Sequence, residues 1–410
     1  MNTRKASIKI YITVLAAMVL LVALYFANLS FVKANPGGLE FLAHWQGARS
    51  FLNDGVDPYS DQTAGIIRSL AGEIDPDDPG EYRFVAPLIS LIFYAPFALI
   101  PEFTIARATW MTLLEASLLF SAFLVASWKG SKGIIPLIIA VLVLGLNFSS
   151  IDSLVDGNLS LVGFALIIGT IHLLLRNNDE GAGLLLALSL IKPENTYPVI
   201  LIVLIWVFIQ KRYTVLWWFL AVFVIVLGFS LVLIPDWPVR YLQNVIEYSA
   251  RNPVRLEELA PTELEIRLIF VKNLIVGILI IFEWFVVKIQ GKQRLLWNVG
   301  LLLAVLPWIG GEVHLEQATF VFAALLIGLV FLGGIRTGNG NLAIQLISIL
   351  LVISSWIFSG LTVQGISETW VKLWHSLVLP GLAVVILYWS RWWIIQKEKF
   401  SIETFKLSKM

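Results

Sequence analysis

The chain has no cysteine, four histidines and few charges: Asp, Glu, Lys and Arg together make up 14% of its 410 residues. Without Cys there is no disulfide, no thiolate metal site and no Cys nucleophile, so a redox relay and a zinc ribbon are both excluded. His44, His172, His314 and His375 leave little scope for metal chemistry, and no metal or other cofactor is expected. A soluble domain is about 25% charged. The charge deficit, with 58% hydrophobic residues and a mean hydropathy of +0.83, excludes a soluble enzyme and points to a polytopic membrane protein. No Walker loop, Gly-rich dinucleotide fingerprint or Gly-x-Ser-x-Gly elbow occurs, so nucleotide use is unsupported. With no cytosolic domain either, neither a sugar-nucleotide donor nor a nucleic-acid partner is expected.

What the chain does have is long apolar runs. Residues 10–29 follow Arg4, Lys5 and Lys9 and are long enough to cross about 30 Å of hydrocarbon, which reads as an uncleaved signal anchor. Further segments at 104–128, 134–150, 159–176, 182–191, 196–210, 214–234, 268–288, 295–310, 316–333, 342–361 and 372–390 predict an all-α bundle of about twelve transmembrane helices, forming one membrane domain over 1–410. The run 85–101 is interrupted by Pro87, Pro96 and Pro101 and reads as a re-entrant or interface-lying segment. Lys129, Lys132, Arg176, Lys211, Arg212 and Arg336 then all fall in inner loops, as the positive-inside rule requires. Both termini are cytoplasmic on this topology, and two long loops, 30–103 and 235–267, face outward. Most of the 28 acidic residues fall on that outer side, as an outward-facing active site or ion-binding surface needs; outer loops that merely avoid Lys and Arg give the same bias.

The first outer loop carries fixed turns (Asn35-Pro36-Gly37-Gly38, Asp57-Pro58-Tyr59) and an amphipathic helix expected at 39–53. On that helix Phe41, Trp45, Ala48 and Leu52 recur at helical spacing, while Glu40, His44 and Gly47 form another stripe. Gly55 is its expected stop. Glu40, on the opening turn, is placed to take a proton from a hydroxyl; an acid merely favoured by a helix N-terminus reads the same way. His44 is spaced to hydrogen-bond it. Further along, Lys192-Pro193-Glu194 interrupts two half-length apolar runs. Such a break is tolerated only against protein or a wet cavity, and a Lys there is either functional or snorkelling to the interface. Asp152, Asp156-Gly157-Asn158 and Glu312-Val313-His314-Leu315-Glu316-Gln317 add acids, amides and a His at the outer ends of two spans. Ionisable groups gathered at one surface suggest chemistry on a phosphate-bearing lipid. Arg83, Arg240, Arg251, Arg255 and Arg267 are either phosphate contacts or partners of nearby acids.

The order Glu40-Phe41, Trp45, Ala48; Gly55-Val56-Asp57-Pro58-Tyr59; Tyr82-Arg83-Phe84-Val85-Ala86-Pro87; Trp110; Asp156-Gly157-Asn158; Ile191-Lys192-Pro193 resembles glycosyltransferase family 87. The resemblance implies a GT-C fold and a donor of the polyprenyl-phosphate-mannose kind. It also implies a catalytic acid in the first outer loop, a place held here by Glu40 where the family more often has Asp. His44 stands where that family has Tyr, and Asn158 where it has Gln. On this resemblance Lys192, His314 and Arg83 contact the donor phosphate, and His44, Asp57, Tyr59, Asp156 and Asn158 contact substrate. The expected activity is transfer of a mannose-like hexose or a pentose, with inversion, from a polyprenyl phosphate to a hydroxyl of a lipid-linked or envelope glycan. Its expected setting is the bacterial cytoplasmic membrane, among membrane lipids, with the site facing outward. The rivals are a transporter or flippase of lipid-linked sugars, for which broken helices are also characteristic, and a non-catalytic scaffold.

Overall fold

The computed structural model describes residues 2–74, 82–128, 134–251, 263–286, 291–309, 315–335, 340–363 and 373–391, and every regular element among them is helical. In chain order the α-helices are α1 (Asn2–Ala34), α2 (Leu39–Asp54), α3 (Asp61–Ile74), α4 (Leu91–Ala98), α5 (Phe103–Ser127), α6 (Ile134–Gly145), α7 (Phe148–Asp156), α8 (Ser160–Arg176), α9 (Asp179–Leu188) and α10 (Pro193–Ile209). They continue with α11 (Tyr213–Leu233), α12 (Trp237–Arg251), α13 (Glu263–Ile281), α14 (Lys292–Val305), α15 (Ala318–Ile335), α16 (Gly340–Val363) and α17 (379–391). Among the described residues three helices are long and apolar enough to cross a membrane: Tyr11–Ala34, Phe103–Ser127 and Tyr213–Leu233. The pair α6 and α7 makes a fourth crossing if taken together, and five further apolar helices are shorter. Among the described residues, three or four of the expected twelve spans are thus matched by length and composition. The chain is a helical membrane protein.

Two breaks, the first unexpected and the second expected, have local causes. The run 134–150, expected as one span, is two helices meeting at a 62° bend. Asn147 sits in the bend and serves both ends: its Nδ2 donates to the carbonyls of Val143 (2.9 Å) and Leu144 (3.1 Å), while its Oδ1 accepts the Ser150 N–H (3.0 Å). One side chain closes the first helix and caps the second. The apolar run 182–210 breaks at a 3-10 turn, Ser189–Ile191, after which Pro193 starts α10 at a position where its missing N–H costs nothing. There Thr196 Oγ1 donates to the carbonyls of Ser189 (2.7 Å) and Lys192 (3.0 Å), covering groups that the break exposes.

The chain divides into two compact units, the first made of Met1–Ser117, Ser153–Leu159 and Val226–Leu259 and the second of the remainder. In the first unit, α1 leaves most of its apolar surface outward, with 6% of its crossing window buried. It is tied to α5 by Asn28, whose Nδ2 donates to Thr112 Oγ1 (3.1 Å) and Glu115 Oε2 (2.8 Å).

Helix α2 lies at the heart of this unit. It ends at Gly55, as expected, in a left-handed cap whose N–H reaches the Ser50 carbonyl. Phe41, Trp45 and Ala48 are buried and Leu52 is 43% exposed, but His44 and Gly47 are buried too. The helix expected at 39–53 is present, and both of its stripes are largely covered, because residues 82–103 pack on the second face. His44 stacks on Tyr94 (4.9 Å between centroids) and meets Phe84 edge-on, and Trp45 Nε1 donates to the Phe97 carbonyl (3.0 Å). The run 85–101 forms a 3-10 turn and the eight-residue α4, a helix of about 12 Å.

The first unit also holds α12 against the loop 55–61. Arg83, 3% exposed, donates to Asn244 Oδ1 (2.9 Å), Glu247 Oε2 (2.7 Å) and Asp61 Oδ1 (2.7 Å). Arg240 pairs with Asp57 and with Asp236.

In the second unit α14 and α15 form the most deeply buried pair, with Trp297, Leu301–Val305 and Phe320–Leu325 fully enclosed. A buried ionic knot joins three segments. Glu283, in the π turn Phe282–Val286, pairs with Arg294 of α14 and with Arg391 of α17 (3.0 Å), and it accepts from Tyr388 Oη (3.2 Å).

Candidate active site

The chain reaches Glu40 through two glycines directly after α1. Gly38 adopts φ +74°, and a Cβ there would lie 2.2 Å from Arg107 Nε, so only glycine fits between the guanidinium and the start of α2. Glu40, half-buried in the first turn of α2, accepts a hydrogen bond on Oε2 from Asn158 Nδ2 at 2.8 Å. Asn158 is 3% exposed, and its own N–H is held by the Ser153 carbonyl (2.8 Å).

Two side chains of α5 fix this carboxylate and amide against each other. Arg107, 1% exposed, donates through Nη1 to the Asn35 carbonyl and through Nη2 to the Val155 carbonyl, both at 2.9 Å. It therefore grips the segment before Glu40 and the segment before Asn158 with one planar group, which suits the fixed fork of a guanidinium. Trp110 Nε1 donates to the Gly157 carbonyl (2.8 Å) and stacks on Phe41 (5.3 Å), the residue after Glu40. Gly157 takes φ +78°, and a Cβ on it would come within 2.5 Å of Phe41 Cβ.

The other expected substrate contacts occupy different places. His44 Nδ1 lies 2.7 Å from the main-chain carbonyl of Glu40, so it carries the proton and donates there rather than to the carboxylate. Asp57 shapes the turn, accepting the Tyr59 N–H (2.8 Å) on one oxygen and pairing with Arg240 through the other. Tyr59 donates to the Ala86 carbonyl (2.7 Å); burial above all, with Tyr241 and then Asp57 nearby, pushes its phenol well above the usual tyrosine value, so it stays a neutral donor. Tyr59 and His44 both abut Phe84, which links the two clusters. Arg83 is in the α12 clasp, and Asp156 acts electrostatically on Arg107.

In the second unit, Lys192 lies at the break between α9 and α10 with its side chain 12% exposed. Its Nζ is 3.5 Å from Glu316 Oε2 and 3.8 Å from Glu194 Oε1. Glu316 also accepts from Asn195 Nδ2 (2.6 Å), and Asn195 is fully buried. The ammonium is thus largely enclosed and within ion-pairing distance of two carboxylates. His314 and Arg255 lie outside the described residues, and for Arg251 the description covers the backbone alone.

Arg107, Glu316 and Asn195 do the positioning in these clusters; sequence reasoning counts Glu316 among the acids at the outer end of a span and gives Arg107 and Asn195 no role. For Arg107 a signal existed, since an arginine inside an apolar helix is costly without partners. For Asn195 none did.

A family model described as glycosyltransferase family 87 matches residues 84–359, more than half of the chain; the match takes in Asn158 and Lys192 and begins after Glu40. No curated protein and no solved structure matches.

Proposed function

The chain belongs to glycosyltransferase family 87, hence to the membrane glycosyltransferases, and from that premise we propose that it moves a hexose or pentose from a polyprenyl-phosphate donor to a hydroxyl of a lipid-linked or envelope glycan, with inversion. The observation that carries this reading is the Glu40 carboxylate, half-buried directly after a membrane-crossing helix and steadied by the buried amide of Asn158. In the reaction Glu40 takes the proton of the acceptor hydroxyl. The acceptor oxygen bonds to the anomeric carbon as the bond from that carbon to the phosphate oxygen breaks, and the lipid phosphate leaves with the electron pair. Asn158 holds one carboxylate oxygen, which leaves the orientation of the group fixed while the proton moves. Lys192 is the proposed partner of the phosphate charge, exchanging its carboxylate neighbours for the donor; its enclosure strengthens that contact.

Purified protein in lipid vesicles, given radiolabelled polyprenyl-phosphate sugars and a membrane-lipid extract, should convert one of them to a labelled product. Sugar moved across the vesicle wall with no new glycosidic bond would favour the transporter instead. Lys192→Ala should weaken donor use by about tenfold or more, the loss of one charge-assisted contact of roughly 1.5–3 kcal/mol. Donor binding and turnover equal to the wild type would remove Lys192 from the site. The orientation is likewise proposed: cytoplasmic membrane, both termini inside, the loop 30–103 outside. A membrane-impermeant thiol reagent added to intact cells should label Ser60→Cys and spare Ser401→Cys, and the absence of native cysteine makes the measurement clean. The reverse pattern would invert the topology.

A further inference from the structure

Helix α12 has two unlike faces. Trp237, Arg240, Asn244 and Glu247 lie on the side turned to the first unit: Trp237 is 7% and Asn244 5% exposed, and Arg240 and Glu247 are ion-paired there. On the opposite side Val239, Leu242 and Ile246 stand 58%, 58% and 67% exposed at the i, i+3, i+7 spacing of one helical stripe. Such a stripe on a water-washed helix would hold three apolar side chains in solvent with nothing gained.

The chain itself supplies the occupant. Helix α12 begins just after α11, a membrane-crossing helix, and the join is tight: the Ile234 N–H bonds to Ser230 O (3.0 Å) and the Trp237 N–H to Ile234 O (3.2 Å). The last turn of α11 presents Phe229 and Val232 at 66% and 81% exposure, as the lipid-facing side of a crossing helix does. Fully extended, the four Cα steps from Leu233 to Trp237 would span about 15 Å, and the turn shortens that reach. The start of α12 is thereby held at the membrane surface where α11 ends.

We infer that α12 lies in the lipid–water interface, with Val239, Leu242 and Ile246 seated at the boundary of headgroups and acyl chains. This is the setting of an interfacial amphipathic helix, whose apolar side sinks about 5–10 Å into that boundary. The seat reaches beyond α12. Arg83 and Arg240 fasten the opposite face to Asp61 and Asp57, so the height of α12 in the bilayer sets the height of the loop that those acids shape.

The test needs no sugar substrate, so its outcome is separate from that of the transfer reaction. Leu242→Cys and Ile246→Cys, each carrying a nitroxide, are placed in phosphatidylcholine vesicles and their exposure to oxygen and to a water-soluble nickel chelate is measured. Ile225→Cys, at 70% exposure in the middle of α11, and Asp54→Cys give the hydrocarbon and aqueous limits. Positions 242 and 246 should favour oxygen over the chelate to a degree between those limits, at a depth of about 5–10 Å below the phosphates. Chelate access equal to that of position 54 would show the stripe in water and overturn the seat. Low access to both reagents would show the stripe covered by protein, a second copy included, and would overturn it equally.

Discussion

Glu40→Gln is expected to leave the protein folded and able to take up donor while lowering turnover by about a hundredfold or more. The substitution keeps the size of the side chain and an oxygen to accept from Asn158, so the clamp made by Arg107 and Trp110 survives and only proton acceptance is lost. Glu40→Asp should retain part of the rate, since the base persists at shorter reach. Among the competing acids, Asp54 is the clean control: it is exposed at the end of α2. Asp57 shapes a turn and Asp156 faces Arg107, so their loss should reach the rate only through the structure. Steady-state turnover with donor affinity measured in parallel decides the matter. Wild-type turnover in Glu40→Gln would remove the proposed base, and an inactive Asp54→Asn beside it would reassign the role.

Glu283→Ala should be the most destabilising single change, by about 3–5 kcal/mol, because it leaves two guanidinium groups without their shared counter-ion in a buried setting. Glu283 and Arg294 are each 1% exposed, and the carboxylate also receives Arg391 and Tyr388. The loss should appear as a large fall in Tm in detergent. Glu283→Leu paired with Arg294→Leu should recover part of it, since the double change removes the charge together with its partner. An unchanged Tm for Glu283→Ala would mean that the knot contributes nothing to stability.

The sequence exposed features whose cause is local. Pro193 inside an apolar run marks the break at Lys192, and Gly55 marks the end of α2. Features made by a side chain serving distant or opposite backbone groups were hidden. Asn147 looks like one polar residue in a hydrophobic segment, and hydropathy has no means of registering that it caps two helices at once. The burial of the stripe of Glu40, His44 and Gly47 is hidden for a related reason. Periodicity counts polarity, whereas His44 donates to a carbonyl of its own helix and packs its ring on Tyr94 and Phe84. The pairing of Glu40 with Asn158 joins residues 118 positions apart, and only the order of motifs, not any local pattern, hinted at it. Helix α12 is hidden for a simpler reason: the charges of the 235–267 loop dominate its composition, and three spaced apolar residues among them are too few to stand out.

The sparse attachment of α1 imposes an order on synthesis. Its crossing window, Tyr11–Ala34, is apolar and little buried, so it suits the bilayer before the rest of the chain is made, and Asn28 is a polar group within it. Its partner Glu115 emerges 87 residues later, and an acid in the middle of an inserting segment is a costly passenger. By then Asn28 is already in place as a waiting donor. The donor thus precedes its acceptor along the chain, so α5 meets in α1 a partner that has already been translated.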